Sequence, residues 1–294
     1  MKEQKITELD KLFLEVGTYR ESSQFKELIQ FVKKFPKIAP FNAMLLHVQK
    51  PGSVYVATAT EWKNKFKRSI KVGARPLVIL MPFGPVSFVF ELGDTEGAEP
   101  FPEELLNPFR VEEGVIAQND FDRLTSNLIT TGIVYIEAEQ GTSSAGFVQI
   151  SESLSRAKIE RPTKEIWVKI LFDIVVNKNH NIETRFATLL HELGHVYCGH
   201  LGTPSLKWWG DRKYLRKNEK EFEAESVCWL VCERLGLKNP SAEYLSGYLD
   251  ENKTIPNISV DTVLKAAGII ESMIKKLKDP RKEIIHKVVD LKKK

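Results

Sequence analysis

The sequence predicts an α+β protein in two parts: a small mixed N-terminal unit over residues 1–145, and a unit over 146–294 that is mostly helical with a short sheet. Three observations predict it. Between residues 53 and 91 the apolar residues come in short β-type runs punctuated by Gly and Pro. From residue 182 onward the apolar spacing is three and four, the period of helices. The stretch 139–160, which contains the turn sequence QGTSSAG at 140–146, separates the two regimes and is the expected boundary.

At 294 residues the chain is long enough for two ordinary domains. With 42% hydrophobic and 28% charged residues it is neither disordered nor fibrous. A formal net charge of +4 permits an acidic partner such as nucleic acid and argues against an acidic mimic of DNA. The N-terminal MKEQKITELDKLFLEV is charged throughout and has no apolar segment of the kind that directs export. The longest apolar run, 76–90, is broken by Pro82, Gly84 and Pro85, so no membrane span is expected. Cys198, Cys228 and Cys232 are an odd number, read as reduced thiols of a cytoplasmic protein.

Element by element, residues 4–35 carry helical spacing, and a short helix is expected at 42–49 before the turn Pro51-Gly52. Strands follow at Val54 and Val56, at 77–81 and at 86–91, with a helix over 60–66 that contains Trp62. Residues 93–112 read as a loop, 121–131 as a helix, 133–137 as a strand and 167–176 as one further strand. Helices are then expected at 182–199, 217–235 (stopped by Gly236), 242–248, 260–277 and 281–291.

The chemistry sits in TLLHELGH, residues 188–195. His191 and His195 are four apart, a rotation of about 400° on a helix, so both imidazoles leave one face one turn apart. That spacing lets both reach one zinc ion, and Glu192 beside the first can serve as general base toward water without binding the metal. Apolar Phe186, Leu189, Leu190, Leu193 and Val196 bury the helix, where unpaired polar groups are costly and a metal removes the cost. A third ligand is required, and Glu221 and Glu225 share a face of the next helix. The expectation is Glu221 as ligand, with Glu225 accepting the other ring N–H of a ligand histidine. Glu223 points about 160° away on that helix and is expected to face solvent. His200, five residues past His195, is expected to point elsewhere, with a substrate contact as its alternative role. Cys228 and Cys232 lie in the apolar run VCWLVC and read as core.

RFATLLHELGHVYCGHLG, followed by EKEFEAESVCWLVCERLGL and YLSGYL, resembles the ImmA/IrrE zinc metallopeptidases, most closely the branch joined to antirestriction proteins of the ArdC type. The resemblance covers about residues 165–275 and implies a minimal gluzincin-like helix–zinc–helix core in a cytosolic peptidase that cuts a regulatory protein, such as a repressor. FNAMLLHVQKPGSVYVATATEWKNKFKRSIKVGARPLVILMP (41–82) is similar to the single-stranded-DNA-binding domain of ArdC-type proteins. Asn42, Gln49, Pro51, Trp62, Gly73 and the run 94–97 match its pattern, while Phe66 stands where that pattern usually has Gly. Lys63, Lys65, Lys67, Arg68, Lys71 and Arg75, with Trp62 among them, supply the cations and aromatic expected of a single-strand groove. The same residues also fit an ordinary solvated strand and loop, with Trp62 and its neighbouring aromatics in the core. The resulting expectation is a zinc metalloendopeptidase regulated or directed by single-stranded DNA. The alternatives are an antirestriction or DNA-protecting binding protein whose metal is structural, and a regulator acting by protein contact.

Overall fold

The computed structural model describes residues 27–28, 31–32, 34–35, 37–81, 84–102, 116–139, 145–152, 155–237 and 256–291. Most of the expected helix 4–35 and turn 140–146, and all of the expected helix 242–248, lie outside the described residues.

Helix α1 (Pro40–Gln49) starts on a proline, whose fixed φ and missing N–H suit a first turn. Asn42 and Gln49 are seven apart, two turns on one face. Both amides clasp strand β3 (Leu77–Met81). Asn42 donates to the Leu80 carbonyl and accepts from its N–H, each at 2.9 Å. Gln49 does the same at Val78, at 2.9 and 2.8 Å. β3 is an edge strand in the order β1 (Val56–Ala57), β4 (Gly84–Glu91), β3, so two side chains of α1 occupy backbone groups that a bare edge would expose. Helix α2 (Ala59–Phe66) begins in a Thr58–Glu61 capping box. Strand β2 (Ser69–Ile70) pairs with β5 (Thr95–Glu96), a short strand inside the stretch expected to be loop. Helix α3 (Gln118–Leu128) tightens into a 3-10 turn, and Gly132 at φ 79° releases the chain into β6 (Ile133–Ala138).

The second sheet has the order β6, β10 (Phe172–Asn177), β7 (Gly146–Ile150), with β6 parallel and β7 antiparallel to β10. A third, antiparallel sheet has the order β11 (Ile285–Asp290), β9 (Lys164–Lys169), β8 (Arg156–Arg161). Two expectations are corrected here. The single strand expected at 167–176 is two strands in two sheets. The chain changes sheet at Ile170 and Leu171, whose N–H groups go to the Ser155 and Gly132 carbonyls. The helix expected at 281–291 is a 3-10 turn, Lys282–Ile284, followed by β11. Ile285, Val288 and Val289 are β-branched, and β9 offers a partner, which outweighs the helical spacing.

Three helices complete the chain: α4 (Ile182–Tyr197), α5 (Lys217–Arg234) and α6 (Val260–Lys275). The architecture among the described residues is thus mixed α and β, six α-helices with small sheets. One buried apolar cluster runs from Leu28 through Leu190 and Leu230 to Ile274, and a smaller one lies in the β8–β9–β11 sheet. Polar ties cross the fold as well. Asn127 of α3 donates to the carbonyls of Met273 and Lys276 and accepts from the Lys278 N–H. The buried Arg234 guanidinium binds the carboxylate of Glu271 and the carbonyls of Val32, Phe35 and Ile38. No described helix is long and apolar enough to cross a membrane.

Candidate metal centre

The site is made by α4 and α5 lying against each other. Asn181 starts α4 by accepting from the Thr184 N–H at 2.9 Å. The close approach is set by Gly194, between the two histidines, and Ala224, between Glu221 and Glu225. A Cβ on Gly194 would meet Ala224 Cα at 2.8 Å and its carbonyl oxygen at 2.9 Å. Nothing larger than glycine fits there without moving backbone. Sequence reasoning passed over Gly194, although its place between two candidate ligands was a signal for close packing.

Across that contact, His191 and His195 turn their Nε2 atoms toward each other, 3.1 Å apart. Glu221 Oε2 lies 3.4 Å from the first and 3.6 Å from the second. Four ligands set tetrahedrally at zinc–nitrogen distances of about 2.0–2.1 Å stand about 3.3 Å from one another. The three donors therefore have the spacing and chemistry that a zinc ion takes, two imidazoles and a carboxylate. Glu225 Oε2 sits 2.8 Å from His191 Nδ1, on the far side of the ring. Burial by itself would lower the His191 pKa, but hydrogen bonds to Glu221 and Glu225 raise it to about 10. Hydrogen bonds from the two histidines hold the Glu221 carboxyl below its ordinary range. A metal has to displace the proton on His191, so affinity falls as pH falls.

Glu192 follows the first histidine and points toward β7. Burial raises its pKa, opposed by His191 and His195, and its carboxylate accepts from the Val148 backbone N–H. It touches none of the three donors in a way that would make it a fourth, which suits a base better than a ligand. Cys228 and Cys232 are buried in α5; Cys228 donates to the Ala187 carbonyl.

Two expectations about neighbouring residues are corrected. His200 does not point away: its Nδ1 lies 2.9 Å from His195 Nδ1. The rule of 100° per residue ends where the helix ends. Gly199, at φ 76°, takes the left-handed conformation, and the His200 N–H returns to the His195 carbonyl at 3.0 Å while the Gly199 N–H bonds Val196. That pair of bonds is a Schellman stop, which folds His200 back against α4. Glu223 does not face solvent either: it is 0% exposed. Arg212, from the segment between α4 and α5, grips it with both Nη atoms at 2.5 and 2.6 Å. The His200 Nε2 lies 2.9 Å away and the Ser259 N–H donates at 2.7 Å. Burial would raise the Glu223 pKa, but hydrogen bonds from His200 and Arg212 lower it. Burial lowers the His200 pKa, with Glu223 opposing. Nothing in the sequence marked Arg212.

The N-terminal basic residues divide. Lys63, Lys65, Lys67 and Arg75 are exposed. Lys71 is exposed but donates to the Gly93 carbonyl. Arg68 ties β2 to β5, donating to Thr95 and to the Glu99 carbonyl. Trp62 is a correction to the expected stacking residue. It is 0% exposed, donates its indole N–H to the Phe90 carbonyl at 2.9 Å, and packs among Tyr55, Phe66 and Phe101. Its face is spent on the core.

The described residues thus present a three-donor centre of the H-E-x-x-H plus carboxylate kind, on two helices held at glycine distance. No family model and no curated protein matches the chain. Among solved structures it is similar to the metal-free crystal structure of the antirestriction ArdC protein from plasmid R388, at 16% identity and a TM-score of 0.34, over 81% of this chain and 85% of that one. That neighbour agrees in name with the ArdC-type part of the sequence resemblance and not with ImmA/IrrE peptidases. At that TM-score it carries no argument.

Proposed function

We propose that this chain is a zinc-dependent peptidase with His191, His195 and Glu221 as ligands and Glu192 as general base. The observation behind it is the mutual spacing of the three donor atoms, 3.1, 3.4 and 3.6 Å, beside a buried carboxylate that is not one of them. Zinc held there supplies Lewis acidity toward a carbonyl oxygen and toward water. The chain's own residues do the rest. Glu192, made more basic by burial, takes a proton from the attacking water and returns it to the leaving amine. Glu225 accepts from His191 Nδ1 and so leaves Nε2 free to ligate. The substrate class comes from the sequence resemblance, a regulatory protein of repressor type, cleaved in the cytoplasm.

A second reading has an observation behind it: the exposed Lys63, Lys65, Lys67 and Arg75. On that reading the chain is an antirestriction or DNA-protecting protein and its metal is structural. The test is metal analysis combined with proteolysis of candidate repressors. Purified protein should hold about one zinc, and His191→Ala or His195→Ala should lose most of it. Glu221→Ala should abolish tight binding, and Glu225→Ala should weaken it about 10–100-fold. Reversed severities would make Glu225 the ligand. Glu192→Gln should keep the zinc and lose cleavage. Zinc retained with no cleavage by the parent of any repressor offered favours the structural-metal reading.

A further inference from the structure

Beyond the three donors, a second group of candidate ligands, Cys198, His200 and Glu223, is wholly buried beside the first. It is not a second metal site, because the Arg212 guanidinium already occupies both carboxylate oxygens of Glu223. We propose instead that Arg212, Glu223 and His200 form a relay that sets the tautomer of His195, so that its Nε2 is the free, metal-binding nitrogen. The proposal rests on the zinc reading above.

The argument follows the protons. Glu223 receives two bonds from Arg212 and one from the Ser259 N–H, so it is an ionised acceptor whose charge Arg212 balances. His200 Nε2, 2.9 Å from Glu223 Oε2, must then be the nitrogen that carries hydrogen. The other nitrogen of His200, Nδ1, faces His195 Nδ1 at 2.9 Å. Two ring nitrogens that close share one hydrogen between them. With the His200 hydrogen held on Nε2 by Glu223, the donor is His195 Nδ1–H. With His195 Nδ1 committed to His200, Nε2 is the nitrogen left for a metal, and it is this atom that faces His191 and Glu221.

The two ligand histidines thus receive their orientation differently. His191 has a carboxylate directly behind it. His195 has a neutral imidazole, with the carboxylate one ring further back. His200, Glu223 and Arg212 are positioning residues; none reaches the three donors. Their place in the fold explains the pattern. The Schellman stop at Gly199 delivers His200, the segment before α5 delivers Arg212, and the N-terminus of α6 delivers the Ser259 N–H.

The test uses the full chain, zinc affinity by competition with a chromophoric chelator, and imidazole nitrogen NMR of the zinc-loaded protein. The parent should show His195 protonated at Nδ1 and His200 protonated at Nε2 only. His200→Ala should weaken zinc about 10–100-fold. His200→Asn, whose amide oxygen can accept where Nδ1 did, should restore most of that affinity. Glu223→Gln places an NH2 against Arg212 and should leave His200 as a mixture of tautomers. A parent His200 protonated at Nδ1, or a folded His200→Ala with parental zinc affinity, overturns the relay while leaving the zinc site standing. A parent that takes up no zinc overturns the site and the relay together.

Discussion

At the scale of single residues, direction was legible and surroundings were not. The four-residue spacing placed His191 with His195 and Glu221 with Glu225, because a helix repeats near that interval whatever lies around it. The same wheel turned Glu223 correctly away from Glu221 but could not show that Arg212 and the start of α6 cover that side. For His200 the wheel was the wrong instrument, since Gly199 had ended the helix. Trp62 had two readings in sequence, a stacking platform or a core ring, and its burial decides for core. Trp62→Ala should therefore destabilise the protein by about 3–5 kcal/mol, read from urea unfolding. Its affinity for single-stranded DNA, measured where the variant remains folded, should stay near the parent's. A loss of DNA binding with unchanged unfolding would return the ring to the surface.

At the scale of elements, the errors share one cause. The run 167–176 has no Gly or Pro, so nothing local announces that its two halves belong to different sheets. The segment 281–291 has apolar positions that satisfy either period, and the choice falls to β9, more than a hundred residues earlier. Strand identity is settled by partners, and partners are not written nearby. Helices α4 and α5 were legible because their long apolar faces and stop glycines are local. Their crossing, by contrast, depends on a single absent side chain. Gly194→Ala would press a methyl onto Ala224 backbone, which cannot swing aside as a side-chain tip can. The helices must separate, and the two carboxylates move away from the two imidazoles. The expected result is about 1–3 kcal/mol of lost stability together with a clear fall in zinc affinity. Gly52→Ala, where a new Cβ meets nothing within 4 Å, serves as the control. Parental zinc affinity in a folded Gly194→Ala would mean that the crossing distance does not govern the site.

At the scale of the molecule, the centre and the basic surface belong to one connected fold. β6, which precedes the boundary expected from sequence, pairs in parallel with β10, which follows it, and the main apolar cluster includes residues from both sides. Any DNA effect on the centre would therefore act through packed structure, not through a free linker. The surface itself is narrower than its sequence suggested, since Arg68 and Lys71 are engaged with β5 and its approach. Lys67 donates to the Asn64 carbonyl, so the exposed cations Lys63, Lys65 and Arg75 are the ones of this segment left to meet phosphate. If they do, single-stranded DNA binding must weaken with salt, because each neutralised phosphate releases counterions. Replacing all three by Ala should flatten the log–log salt slope by about 2, from roughly 0.7 per phosphate contact. Arg68→Ala should instead act mainly on stability, through the lost tie to Thr95 and Glu99. An unchanged slope in the triple variant, or no binding by the parent at low salt, would make these residues an ordinary solvated face. Where the slope does fall, cleavage by the parent with and without single-stranded DNA decides the coupling. A rate that rises with DNA in the parent and not in the triple variant makes the N-terminal part a regulator. Equal rates reduce it to a part that holds the candidate centre at its place of action without regulating it.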